Sequence, residues 1–122
     1  MKLGLLMVTV VTMTACGASY PVPTQRMADA QSAHRSAQEL GADKHPAAQL
    51  HLNLAAEQIA KATAVLKEED NRRADFMLIR AKADAELALA IAHGEKSKKE
   101  AQQALEQSNT QAANNLKQGA QR

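Results

Sequence analysis

The chain has 122 residues, a formal net charge of +2, one cysteine, one tyrosine, one phenylalanine and no tryptophan. A single thiol excludes a disulfide framework and a multi-cysteine zinc site. Near-neutral charge and only two aromatic rings exclude the concentrated basic face and the stacking platforms that nucleic-acid binding needs.

Met1-Lys2 begins the chain with a positive charge, and a mostly apolar run follows from Leu3 to Met13. The run is shorter than the roughly 20 residues a membrane-spanning helix requires. It ends in Met13-Thr14-Ala15-Cys16-Gly17, with small residues before the only cysteine. That arrangement is a signal-peptide core with a cleavage site. It resembles the lipobox of bacterial lipoproteins, with Met13 where those signals usually carry Leu. The resemblance implies a signal peptide over residues 1–15, cleavage between Ala15 and Cys16, and lipid on the Cys16 thiol and freed amine. Each buried CH₂ contributes about 0.8 kcal/mol, so two or three chains give a lasting anchor where one gives marginal binding. Gly17 and Ala18 follow, without the Asp that retains enterobacterial lipoproteins in the inner membrane. By the same resemblance the expected place is the periplasmic face of an outer membrane in a Gram-negative-type envelope.

Residues 16–23 form the lipidated tether, with Pro21 and Pro23 favouring extended backbone. Residues 24–94 form the helical domain. Thr24 is placed to cap a first helix. Met27, Ala30, Ala33 or His34, Ala37 and Leu40 recur at helical spacing, and Gly41 fits just past its end. Pro46 suits the first position of a second helix. Leu52, Ala55, Ile59, Ala62 and Leu66 then make a heptad-like seam to about Glu69. Asp70-Asn71 breaks the chain and supplies a cap. In the third helix Ala74, Met77, Ala81, Asp84, Ala88 and Ile91 form one stripe. Phe76, Ile79, Ala83, Leu87 and Ala90 form a second. The fold class expected is all-α: an antiparallel helical hairpin or three-helix, tetratricopeptide-like bundle with a long C-terminal helix. An alanine-rich core buries little area per residue, so modest stability is expected.

Gly94 either ends the third helix or sits inside it at a cost of about 1 kcal/mol relative to Ala. Residues 95–122 are polar, and a weak repeat at Ala101, Leu105, Ser108, Ala112 and Asn115 suits either a helical extension to about Asn109 with fraying beyond or a solvated, partly disordered tail. Leu105 and Ala112 are the candidate partner-binding residues.

Nothing in the pattern carries catalysis: no nucleophile with a base, no phosphate loop, no carboxylate pair. No cofactor, metal or small-molecule substrate is expected. The histidines, His34, His45, His51 and His93, are never three or four residues apart, so no helix turn presents two ligands. Asp84 is expected to pair with Arg80 or reach solvent.

The segment Glu69-Asp70-Asn71-Arg72-Arg73-Ala74 and the run from Arg80 to Ala88, Arg80-Ala81-Lys82-Ala83-Asp84-Ala85-Glu86-Leu87-Ala88, resemble the domain of unknown function 4398 family of bacterial envelope lipoproteins. The resemblance covers about residues 23–99 and implies a helical hairpin with no established activity. Members are often fused to a peptidoglycan-binding domain of OmpA type; with the chain stopping at Arg122, that binding is not expected here. The terminal Gln121-Arg122 also differs from the C-terminal Lys that links murein lipoprotein to the wall. The expected role is a non-catalytic, lipid-anchored adaptor or scaffold, with residues 76–112 docking a helical protein partner near the membrane. The alternative is a self-associating spacer between outer membrane and cell wall.

Overall fold

The computed structural model describes residues 19–121. The signal segment, Ala15 and Cys16 lie outside them. Helix α1 spans Thr24–Glu39, α2 Pro46–Lys67 and α3 Asn71–Gly119, with a 3₁₀ turn at Ala42–Lys44 between α1 and α2. No strand occurs among the described residues, and none of the described helices is long and apolar enough to cross a membrane. The fold is an all-α, antiparallel three-helix bundle in which α3 runs far beyond its neighbours.

The chain breaks follow local chemistry. Thr24 is the first helical residue rather than the cap. Pro23 caps α1 instead, its carbonyl accepting from the Met27 N–H at 3.0 Å. Gly41 takes a left-handed conformation (φ 87°) at the end of α1, where its N–H reaches the Gln38 carbonyl at 2.9 Å. Pro46 opens α2, where its missing N–H costs nothing. Asp70 caps α3 by accepting from the Arg73 N–H at 3.0 Å.

Glu69 closes α2 in the left-handed region at φ 60°. Its Cβ makes that conformation cost about 1–2 kcal/mol, which glycine would not incur. Glycine also has a more flexible unfolded chain, which offsets part of the gain. Glu69→Gly should therefore stabilise the bundle by about 0.5–1 kcal/mol. Thermal denaturation monitored by helical circular dichroism should show a midpoint a few degrees higher; a lower midpoint would mean that the Glu69 side chain supplies more than its backbone costs.

The core is alanine-built. Among the described residues, every buried hydrophobic side chain other than Leu52, Val65 and Leu78 is an alanine. Methyl-sized contacts let the helix axes approach closely. One cluster near the α2–α3 turn joins Ala30, Ala62, Val65, Ala74, Leu78 and Ala81. The other, near the 3₁₀ turn, joins Ala37, Ala42, Ala48, Leu52, Ala88 and Ala92.

The seams differ from expectation in an instructive way. In α2 the last core position is Val65 rather than Leu66, which is half-buried. In α3 the buried stripe is Ala74, Leu78, Ala81, Ala85, Ala88 and Ala92. The expected Met77, Asp84 and Ile91 each stand one residue earlier and are half-buried. They form the flank toward α2, where Asp84 meets His51. On the other flank Asp75 meets Arg26 and Lys82 approaches Asp29, both on α1. With a helix on each side, the most buried line of α3 falls between them.

Helix α3 passes through Gly94 without a break and remains helical to Gly119, well past the expected fraying at Asn109. A helix already nucleated by the bundle adds residues without the nucleation cost. The pair Glu95–Lys98, at 2.7 Å, bridges one turn where the bundle ends. It holds the Glu95 carboxyl below its ordinary range, chiefly through the Lys98 hydrogen bond. Every residue from Lys96 to Gln121 is exposed. At 1.5 Å per residue, α3 projects about 36 Å beyond the bundle.

Candidate functional site

Two features stand apart from simple packing: a latch that pins the N-terminal strap, and a free face along α3.

The latch centres on Asp75, a carboxylate only 4% exposed among alanines. A charge in such a place needs partners. Asp75 has two, from segments distant in sequence. Arg26 on α1 forms an ion pair with it, and the Tyr20 hydroxyl donates to its Oδ2 at 2.7 Å. The backbone of Tyr20 is held as well, its carbonyl accepting from the Asn71 side chain at 2.9 Å. The strap entering the bundle is thus fixed to the start of α3, beside the α2–α3 turn. None of these residues was expected as a site. Asp75 lies immediately after a buried alanine, but one acidic residue does not reveal partners 49 and 55 positions away.

The bond to Asp75 raises the Tyr20 pKa above its ordinary value, because ionisation would set a phenolate against a carboxylate. A raised folded-state value means that the latch contributes its stability below the ordinary tyrosine pKa of about 10 and loses it as pH climbs through the folded value. Tyr20 is the only tyrosine, so phenolate absorbance reports it directly. Its titration midpoint should lie above that of a free tyrosine in the native chain and fall toward it in Asp75→Ala. Identical midpoints would mean that the latch is open in solution.

Asp84 pairs not with Arg80 but across the bundle with His51, whose Nδ1 lies 3.0 Å from its Oδ1. Among the described residues no group of three histidine, cysteine, aspartate or glutamate side chains is placed to hold a metal ion. The groove around Gln103, Glu106, Gln107, Thr110 and Gln111 has walls from one helix only, so it cannot enclose a ligand.

The free face lies opposite the buried stripe. Leu78, fully buried, is about 200° round the helix from Phe76, which is 56% exposed. From Phe76, Leu87 is about three whole turns along, and Leu105 is about five turns beyond Leu87. Phe76, Ile79, Leu87 and Leu105 are all exposed large apolar side chains, and they share this line with Ala83, Ala90, Gly94, Ala101 and Ala112. A Cβ at Gly94 would meet nothing within 4 Å, so no packing among the described residues requires glycine there. Leu105, at 64%, and Ala112 are both exposed, on the projecting part of α3. They lie about 50 and 60 Å along the helix from Asn71, at the end away from the Tyr20 strap.

The pattern of the domain of unknown function DUF4398 matches residues 25–104. The chain belongs to the DUF4398 family. The DUF4398 match starts in the first turn of α1 and continues past the point where α1 and α2 end, into the projecting part of α3. The overhang to residue 104 is therefore part of the DUF4398 unit, whereas Tyr20 precedes it. No curated protein and no solved structure matches this chain.

Proposed function

We propose that this protein is a non-catalytic, lipid-anchored envelope lipoprotein, held through Cys16 at the periplasmic face of an outer membrane, and that it serves as an adaptor presenting the free face of α3 to a helical partner. The observation that carries the reading is an apolar line on α3 that faces away from the bundle and outruns it. Exposed apolar stripes of this length mark interaction surfaces, and an amphipathic helix laid along such a face is a common mode of docking. Gly94 supports close approach: mid-helix glycine costs about 1 kcal/mol relative to Ala, and nothing among the described residues offsets it.

The charges on this face favour a different protein over a second copy. They are Arg72, Arg73, Arg80 and Lys98, all basic, with Lys98 also paired to Glu95. Two copies anchored in one membrane and paired in parallel would set each against itself. An amphipathic helix flanked by carboxylates would complement them.

The test replaces Leu105 and Ala112 with glutamate and Gly94 with leucine. The three sites are exposed or open, so the two glutamate variants should melt within about 0.5 kcal/mol of the native chain, and Gly94→Leu should be more stable by up to about 1 kcal/mol. Photo-crosslinking from position 101 in cells should show a complex with another envelope protein that all three replacements weaken. If every crosslinked species persists unchanged in folded variants, the free face is passive. If the crosslinked species is a dimer of this chain, the self-associating spacer is the correct reading. Cys16→Ser should abolish fatty-acid labelling and release the protein from the membrane fraction; equal labelling would remove the anchor.

A further inference from the structure

We propose that the α2–α3 turn end of the bundle rests in the headgroup layer of the membrane that carries the lipid on Cys16, so that α3 stands away from the bilayer. This rests on the lipid-anchor reading above and adds an orientation to it.

The first ground is covalent reach. Cys16 is four residues before Tyr20, a span of at most about 14 Å. Tyr20 does not swing freely, because its hydroxyl is bonded to Asp75 and its carbonyl to Asn71. A lipid on Cys16 therefore brings this end of the bundle within about 14 Å of the membrane. The 3₁₀ turn, at the far end of the 22-residue α2, stays about 33 Å further along.

The second ground is what this end exposes. The chain has one tyrosine and one phenylalanine, and both sit here: Tyr20 is 42% exposed and Phe76 56%. Val22, also exposed, adjoins them on the strap. Two shallow grooves meet at this point, one touching Tyr20, Val22 and Leu66, the other Phe76 and Met77, and Asp70 and Arg72 line both. Tyrosine, with one polar and one apolar side, favours the interfacial region of a bilayer, and Phe76 adds apolar surface beside it. The Arg72 guanidinium lies over the Phe76 ring, 6.0 Å from its centroid. With the ring lowered into the acyl boundary, that guanidinium reaches the phosphate level.

Charge selects the headgroup layer as a whole rather than anionic lipid. Lys67, Arg72 and Arg73 are matched around the turn by Glu68, Glu69 and Asp70, and Arg80 beside Phe76 leaves an excess of one positive charge, too little to demand anionic lipid. Seating by apolar contact also leaves Leu87 to Ala112 clear for the partner proposed above.

The experiment uses the lipidated full chain in vesicles of phosphatidylethanolamine and phosphatidylglycerol containing brominated acyl chains. The protein has no tryptophan, so Phe76→Trp, Leu50→Trp and Leu105→Trp each give a single reporter. Leu50 is exposed near the start of α2. Phe76→Trp should be blue-shifted and quenched several-fold more than the other two, which should emit as in water. Replacing phosphatidylglycerol with phosphatidylcholine should change this contrast by less than twofold. If the protein floats with the vesicles and Phe76→Trp is unquenched, the seating is wrong and the anchor stands. Equal quenching of all three would mean that the molecule lies flat, which also overturns it. If Cys16 carries no acyl chain and the protein does not float, the anchor reading fails and this orientation fails with it.

Discussion

Leu78→Ala should unfold much of this protein at temperatures the native chain tolerates. Among the described residues Leu78 is the one large side chain buried completely. It packs at the centre of the cluster formed by Ala30, Ala62, Val65, Ala74 and Ala81. Truncating a buried leucine typically costs 2–5 kcal/mol, the higher values arising where the surroundings cannot collapse into the space. The buried neighbours are mostly alanine methyl groups on helix backbones, and Met27, Ile59, Leu66 and Met77, packed on the edge of the cluster, close only part of the space. We expect a loss of about 3–4 kcal/mol, a large share of the 5–15 kcal/mol typical of a whole domain. Leu66→Ala, on a half-buried residue at the edge of the same cluster, should cost less than half as much. Urea denaturation of both variants checks the pair. Equal midpoints for the two would mean that Leu78 does not hold the cluster together.

Arg26→Ala should produce the second-largest loss. The residue itself is half in water, its side chain 52% exposed, while that of Asp75 is 6% exposed. Removing the arginine leaves a buried carboxylate with the Tyr20 hydroxyl as its remaining side-chain partner. Breaking a fully buried pair from one side costs about 3–5 kcal/mol. Solvent around Arg26 and the retained Tyr20 bond reduce this to about 2 kcal/mol. The origin of the loss is checked by a double variant. Asp75→Asn removes the charge and keeps the shape, so Arg26→Ala combined with Asp75→Asn should be more stable than the sum of the single effects predicts. Strict additivity would assign the loss to packing of the Arg26 stem rather than to charge.

The two residues also separate what the sequence discloses from what it conceals. Arg26 is an ordinary polar residue in the first turns of a helix, and Asp75 an ordinary interruption of an apolar pattern. Their pairing depends on α1 lying on one flank of α3. No periodicity within either helix specifies that. The same flank explains the shifted seam. Met77, Asp84 and Ile91 are a sound guess for a helix facing one neighbour, and they do face α2. Leu78, Ala85 and Ala92 become the core only because a second neighbour covers the other side.

The sequence by itself determined the all-α class, the family, and the order of the helices with their limits to within a few residues, apart from the C-terminal end of α3. These follow from local chemistry: heptad spacing of apolar residues, Gly41 where the backbone needs positive φ, Pro46 at a helix start, and Asp70 as a cap. Tertiary structure alone decided which side of α3 is buried, because burial depends on where α1 and α2 sit. It decided that the Tyr20 strap is bonded to the start of α3, a contact across 55 residues that local pattern does not encode. It decided, too, that α3 crosses Gly94 unbroken. A lone glycine is compatible with either an end or a continuation, and the bundle's nucleation of the helix tips the balance. From that continuity comes the free line from Phe76 to Ala112. Its residues are visible in the sequence, but its exposure is a property of the packed bundle.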